Sequence, residues 1–333
     1  MSTIMREAMF YKNLNKETVQ CELCPHYCVI HSGEQGKCRS RENIEGKLYA
    51  NNYAQSIGIS IDPIEKKPLY HFRPGSRILS LGPNSCNLNC KFCQNYSISQ
   101  LLSPTISISI DDLYQTVCSK CKIKQIAFTY TEPLTWYEYI IDFAEKYPDV
   151  DVVLISNAYI NPEPLKRIIP YIKAINIDLK SFTNEFYQDL CSGSIDPVKK
   201  SIEMCVAANI HTEITLLLIP SLNNNSKELE LYCQYLAEIN KEMPLHISAY
   251  HPDYLIDTPP TSIDDVASAI AIAKNKLDYV YGGNLPIDDY ASTKCPNCGK
   301  EIIERRMHWC RSTVEADALC PHCKHKIYGV YDF

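Results

Sequence analysis

Long apolar runs are missing from this 333-residue chain. A transmembrane helix needs roughly 20 consecutive apolar residues, and Ala269–Ala273 is among the longest runs present. The stretch Met1 to Tyr11 carries neither an apolar h-region nor a small-residue cleavage site, so no signal peptide is expected. An excess of basic charge is missing as well. Lys and Arg number 33 against 39 Asp and Glu, for a net charge of −6 and a pI near 5.9. No broad positive field recruits nucleic acid or an anionic membrane. There is no internal repeat and no low-complexity tract. With 45% hydrophobic and 22% charged residues, the composition excludes disorder, collagen and coiled coil. The length suits one large domain with small appendages, or two of medium size.

Cysteine is abundant, at 17 residues. A secreted disulfide scaffold would be shorter and would follow an export signal. A cytoplasmic chain this rich in Cys uses thiolates to hold metals. The distribution supports that reading: Cys21, Cys24, Cys28 and Cys38 form one group, Cys86, Cys90 and Cys93 a second, and Cys295, Cys298, Cys320 and Cys323 a third. Three regions follow. Residues 1–70 hold the first group and end in a Pro-containing connector, Asp62 to Pro68. Residues 71–290 alternate short apolar runs with helical patterns. Residues 291–333 hold the last group.

In the middle region, strand-like runs fall at Arg77–Gly82, Gln125–Tyr130, Val150–Ser156, Ala174–Leu179, Thr212–Ile219, Leu245–Tyr250 and Tyr279–Tyr281. Helical patterns lie between most of them. Asp111–Cys121 opens with acidic residues. Asp196-Pro197 reads as an N-cap followed by a first-turn Pro. Ser226–Asn240 is amphipathic, and Ser262 with Asp265 resembles a capping box. Alternating strands and helices predict an α/β fold with a parallel sheet. Six or seven units fit a complete or partial (β/α) barrel, with a doubly wound open sheet as the alternative. Either fold places ligands at the carboxyl ends of the strands.

The loop after the first of these strands contains Cys86-Asn-Leu-Asn-Cys90-Lys-Phe-Cys93. Three thiolates are one short of the usual four for a [4Fe–4S] cluster, which leaves one iron open. A catalytic zinc with a bound water is the alternative from spacing alone. This C-x3-C-x-aromatic-C pattern, with Phe92 as the aromatic, resembles the radical S-adenosylmethionine (radical SAM) superfamily. The stretches Cys21–Cys28, Asp62–Leu69, Cys86–Gln100 and Tyr130–Pro133 resemble the radical SAM enzymes of the AmmeMemoRadiSam system, relatives of the pyruvate formate-lyase activating enzyme.

The resemblance implies a partial (β/α)6-type barrel with a small Cys-rich N-terminal lobe. It also implies a [4Fe–4S] cluster on Cys86, Cys90 and Cys93 whose open iron chelates SAM. Reductive cleavage of SAM then yields a 5′-deoxyadenosyl radical that abstracts substrate hydrogen. The electron would come from a low-potential donor such as flavodoxin or ferredoxin. A glycyl radical enzyme is a candidate protein substrate. The implied SAM-pocket residues are Phe92, Glu132, Asn157, Asp178, Lys180 and His251. Glu132 could instead be a helix-start acid beside Pro133, and Asn157 part of a polar turn. Strand alternation independently puts Asp178 and Lys180 on one face. Tyr130 and Ala158 stand where relatives carry glycine. Gly282-Gly283-Asn284 offers a close backbone approach to an adenine, or a plain turn.

Cys295-Pro-Asn-Cys298 and Cys320-Pro-His-Cys323 are two C-P-x-C knuckles at zinc-ribbon spacing. Four thiolates close every position, so zinc there would be structural. Cys310 lies outside this pattern. Cys21, Cys24, Cys28 and Cys38 predict zinc or an auxiliary iron–sulfur cluster; spacing does not choose between them. Cys118-x2-Cys121 at a helix end reads as coincidence. The rival to an enzyme is a non-catalytic, multi-zinc module that binds protein or nucleic acid.

Overall fold

The computed structural model describes residues 5–285, 289–306, 309–315 and 317–332. Its centre is an eight-stranded sheet. The strands are β1 (Ile59–Pro63), β2 (Arg77–Leu81), β3 (Gln125–Phe128), β4 (Asp151–Ser156), β5 (Ile172–Asp178), β6 (His211–Leu218), β7 (Leu245–Ala249) and β8 (Val280–Gly283). They lie side by side in chain order. β2 to β8 are all parallel, while β1 runs antiparallel to β2. A doubly wound sheet reverses its strand order at a switch point; this one does not. Right-handed crossovers in unbroken sequence put every helix on one side, and the sheet is an open, partial barrel. Among the described residues, β1 and β8 do not pair.

The connecting helices are α1 (Ile110–Lys120), α2 (Tyr137–Lys146), α3 (Pro162–Ile168), α4 (Asp196–Ala207), α5 (Ser226–Asn240) and α6 (Ile263–Ala273). Their starts are chemically marked. Ser109 accepts from the Asp112 amide, Asn225 from those of Lys227 and Glu228, and Ser262 with Asp265 forms a reciprocal capping box. Asp196 differs from expectation. It is the first helical residue, and Ile195 precedes it with no side-chain cap. The Ile195 amide is held instead by Asn184 Oδ1 at 3.3 Å. Gly82, at the end of β2, is required by close approach: a Cβ there would lie 2.0 Å from the Thr129 carbonyl.

The N-terminal region is β-rich, which its sequence did not suggest. Tyr11–Asn13, Thr18–Cys21 and Val29–His31 form one antiparallel sheet; Arg6–Glu7, Arg41–Ile44 and Lys47–Ala50 form another. These strands are two to four residues long, too short for a clear alternation pattern. The fully buried Arg41 binds them to the barrel through an ion pair with Glu138 of α2 at 2.8 Å. The connector expected between regions contributes β1, so Asp62 belongs to the central sheet.

The C-terminal segment forms a small antiparallel sheet of Thr293–Lys294, Glu301–Arg306 and Trp309–Ser312. Its core, with Ile302, Ile303, Ile327 and Tyr331, packs on Tyr279 and Tyr281 at the start of β8. It therefore sits at the amino-terminal end of the barrel, away from the Cys86 loop. Among the described residues, no helix is long and apolar enough to cross a membrane.

Candidate functional site

The loop after β2 carries Cys86, Cys90 and Cys93 and is pinned on several sides. Asn87 Nδ2 donates to the Tyr159 carbonyl at 2.7 Å. The amides of Asn89 and Lys91 donate to the carbonyls of Cys191 and Leu190. Gln100 Nε2 donates to the Leu88 carbonyl at 3.1 Å. The loop borders a cavity of about 510 Å³ at the carboxyl ends of the strands. Phe92, Glu132, Asn157, Asp178 and Lys180 line this cavity together with the three cysteines. Residues scattered over about a hundred positions thus meet because each directly follows, or ends, a parallel strand.

Their local geometry is specific. Glu132 is fully buried; its carboxylate accepts from the Leu134 amide (3.0 Å), Ser156 Oγ (2.7 Å) and the Asn157 amide (2.8 Å). It is both the cap of the short helix Pro133–Trp136 and a lining residue of the cavity. Burial pushes its carboxyl up to about 7, against those three hydrogen bonds. Asn157 Nδ2 donates to Asn87 Oδ1 at 2.9 Å and lies 3.7 Å from Cys86 Sγ. Lys180 Nζ pairs with Asp178 Oδ2 at 3.0 Å. Burial works against the Lys180 ammonium, but Asp178 and the Cys90 thiol outweigh it and hold its pKa well above the usual value. Phe92 packs against Phe186, with centroids 5.5 Å apart. Burial raises Cys86 and Cys93. Cys90 is lowered instead, first by a hydrogen bond from Cys191.

Two of the expected positions lie apart from this group. His251 is exposed and does not line the cavity, because β7 ends at Ala249 and the chain turns outward once Tyr250 is buried. Gly283 is filled by packing rather than open to a ligand: a Cβ there would lie 2.8 Å from Ser248 Oγ. Ser248 lines the cavity, and so does Asn284, the last residue of the Gly282-Gly283-Asn284 stretch. A further cluster in the lining joins two of the stretches named above, Asp62–Leu69 and Tyr130–Pro133. Asp62 Oδ2 accepts from Lys67 Nζ at 2.7 Å and from Tyr130 OH at 2.8 Å. Lys67 also lies 4.4 Å above the Tyr130 ring. Its signal was the Asp62–Leu69 stretch, read as a connector. Cys191, outside the three cysteine groups, hydrogen-bonds to Cys90 and is not among the cavity-lining residues.

Comparison with known proteins fits this geometry. Residues 82–233 match the Radical SAM superfamily. An uncharacterised protein of Methanocaldococcus jannaschii is 40% identical over 90% of this chain and 92% of its own length. The chain belongs to the radical SAM superfamily. A GTP 3′,8-cyclase of Clostridium perfringens is 24% identical over 43% of this chain and 46% of its own length, so that match spans under half of the cyclase. A radical SAM methyltransferase from Sphaerobacter thermophilus shares the fold. The match has a TM-score of 0.50 at 10% identity and covers 84% of this chain and 76% of that one. Membership makes the chain an enzyme of SAM-dependent radical chemistry, with a [4Fe–4S] cluster and SAM as its cofactors.

The residues present fit such a radical SAM centre. Three thiols stand at one side of a cavity. Asn157 Nδ2 approaches Cys86, and Ser99 Oγ lies 3.3 Å from Cys93 Sγ, where each can donate to a thiolate. The terminal cysteine sets differ from each other. Cys295, Cys298, Cys320 and Cys323 bring all four sulfurs within 4.8 Å of one another. Sulfur separations are 3.6 Å for Cys295–Cys323 and 3.8 Å for Cys298–Cys320, and Cys310 stays outside the group. Cys21, Cys24, Cys28 and Cys38 instead line a small cavity with His26, Arg41 and Asn87. Cys118 is exposed and Cys121 buried.

Proposed function

We propose that this chain reductively cleaves SAM in the cavity beside Cys86, Cys90 and Cys93 and takes hydrogen from a protein partner of the glycyl radical enzyme class. The observation that carries the reading is the convergence of three thiols, Glu132, Asn157, Asp178 and Lys180 on one cavity at the strand ends. The three cysteines would hold three irons, leaving the fourth for the amino and carboxylate groups of SAM. A cluster held by these cysteines would supply, once reduced, the electron for cleaving the sulfonium C–S bond of SAM, whose adenosyl fragment would take the hydrogen.

The chain's own residues supply position and shelter. Glu132, fixed by three donors, offers remaining lone pairs to the SAM ammonium; that contact would favour its ionised form. Asn157 fixes the Cys86 side of the loop. Asp178 and Lys180 form a paired wall that stays in place when SAM leaves. Phe92 and Phe186 cover the Cys90 side with apolar surface, which excludes water. A protein substrate is supported by Leu101, Leu102 and Leu255, exposed at 49%, 86% and 60%. The first two follow Gln100 of the cavity wall, and the Leu255 amide donates to the Lys91 carbonyl. The electron donor would be a low-potential flavodoxin or ferredoxin in the cytoplasm.

For the C-terminal quartet we propose structural zinc. A tetrahedron of ~2.3 Å Zn–S bonds has edges of about 3.8 Å, close to the sulfur separations seen. The three-part division at 1–70, 71–290 and 291–333 accompanies this reading, with Ile59–Pro63 lent to the central sheet. Anaerobic reconstitution tests the function. The wild type should absorb near 400 nm (roughly, from iron–sulfur charge transfer) and release 5′-deoxyadenosine from SAM with dithionite. Cys90→Ser should lose both while keeping its zinc. Full SAM turnover by that variant, or a wild type with zinc alone, would refute the proposal.

A further inference from the structure

We propose that Cys21, Cys24, Cys28 and Cys38 hold a second iron–sulfur cluster of the cubane type, not zinc, and that it relays electrons to the Cys86 loop. The relay rests on the radical SAM reading above; the cluster itself does not.

The molecule contains its own standard for a zinc site. The C-terminal sulfurs already touch at 3.6 and 3.8 Å, and all four fall within 4.8 Å of one another. Among the described residues, no three sulfurs of the N-terminal set meet that limit, and neither do those of Cys86, Cys90 and Cys93. A cubane gives each thiolate its own iron, so its sulfurs stand farther apart than the edge of a zinc tetrahedron. The four N-terminal thiols are nevertheless one set. They border a single cavity, where burial raises the thiols of Cys21 and Cys24, each beside Cys28 and Cys38. Their sulfurs do not close on one point as the C-terminal four do, and a multinuclear core does not need them to.

The cavity also presents a buried cation. Arg41, 1% exposed, lines it and feels Cys21, Cys38 and Cys24. Its Nη2 is ion-paired with Glu138 Oε2 at 2.8 Å, and its Nη1 donates to the Ser40 carbonyl. A group that carries four thiolates and inorganic sulfides is an anion with sulfur acceptors, which complements it.

Position argues for the relay. His26, within the Cys24–Cys28 turn, bonds through Nε2 to the Asn87 carbonyl at 2.7 Å. Asn87 directly follows Cys86, and its side chain accepts from Asn157, which also faces Cys86 Sγ. One residue therefore borders both cysteine sets. In the relay, one electron arrives from a low-potential, one-electron donor protein. The N-terminal cluster is reduced by one electron and reoxidised as that electron passes to the cluster on Cys86, Cys90 and Cys93. No bond is made or broken at the N-terminal site.

The test is metal content and electron paramagnetic resonance after anaerobic reconstitution of the full chain with iron, sulfide and zinc. The variant Cys86→Ala/Cys90→Ala/Cys93→Ala should keep about four irons and, when reduced, show a signal that SAM does not alter. The wild type should hold about twice that iron and show a second signal that SAM does alter. Cys24→Ser/Cys38→Ser should lose the SAM-insensitive signal and half the iron. It should still release 5′-deoxyadenosine with dithionite, yet at least tenfold more slowly with a flavodoxin as donor. Should that variant fail to fold, the triple variant decides alone. Two zinc ions and no iron in the triple variant would overturn the proposal. A wild type with only the SAM-insensitive signal would instead sink the radical SAM reading and leave the second cluster standing. Unchanged flavodoxin-driven rates would remove the relay.

Discussion

The two ends of the barrel both bury charge, and they do opposite things with it. At the amino-terminal end, Glu213 on β6 is fully buried. Its carboxylate accepts from His211 Nε2 (2.8 Å), His246 Nε2 (2.6 Å) and the amides of Tyr70 (2.9 Å) and His71 (2.7 Å). His71 in turn meets Tyr281 OH and the Tyr328 carbonyl, which ties this knot to the C-terminal segment. Every partner there is protein. At the carboxyl end, Glu132 is held by three donors and Asp178 by Lys180 alone, and all three residues border open space. Burial of charge alone thus does not mark a reactive site. Convergence of held charges on a cavity does.

The sharpest way to break that comparison is to delete one carboxylate from each end. Glu213→Ala strands four donors in a dry interior, and breaking such a network costs about 3–5 kcal/mol. The thermal midpoint should fall by several degrees or more, with 5′-deoxyadenosine release per folded molecule little changed. Asp178→Asn should do the reverse. The Asp178 side chain is 39% exposed, so its ion pair is worth ~1 kcal/mol or less, while SAM cleavage should slow at least tenfold. Calorimetry and product release on the same preparations check both. Equal stability losses in the two variants would erase the distinction drawn here.

Acid should separate the two ends next. Burial, foremost, lowers His71 to about 3, although Glu213 and the Tyr328 carbonyl favour its charged form. The folded protein keeps this imidazole neutral, whereas the unfolded chain takes up a proton below ~6.5. The contribution of His71 is therefore complete above ~6.5 and is lost progressively as pH falls toward about 3. The limiting slope is ~1.4 kcal/mol per pH unit. Thermal midpoints at neutral pH and near pH 5 should fall more for the wild type than for His71→Gln. A parallel loss in both would remove His71 as the cause.

How much of this could be read from the sequence follows from how local each signal is. The seven parallel strands announced themselves as apolar runs within a residue or two of their ends, and Asp178 with Lys180 fell on one face as alternation required. The Cys groups were spaced by their chemistry. What stayed hidden was assembled over distance. Glu213 is 142 positions from His71 and leaves no local mark, and β1 was masked by the Pro residues around it. His251 misled because following a strand guarantees only nearness to the site; the turn after Ala249 decides direction. Tyr130 and Ala158 are instructive in the other sense. Both were noted as standing in for glycine, and both take the left-handed backbone, with φ of +71° and +52°.

That shared conformation gives the smallest and finest test. Ala158, 1% exposed and part of the hydrophobic core, makes its hydrogen bonds through its backbone: its amide donates to Ser156 Oγ and its carbonyl accepts from Ser201 Oγ. Glycine would keep both bonds and relieve the clash of Cβ with the following carbonyl, worth ~1 kcal/mol. Ala158→Gly should therefore raise the thermal midpoint by about 2 °C. Tyr130→Gly relieves the same clash but removes the hydroxyl bonded to Asp62 and the ring beneath Lys67. It should lower the midpoint and loosen the cavity wall, with weaker SAM binding by calorimetric titration. Opposite signs at two positions of like φ would show that Tyr130 acts through its side chain and Ala158 through its backbone hydrogen bonds. Stabilisation by both substitutions would mean that the Asp62–Lys67–Tyr130 cluster contributes nothing to holding the site.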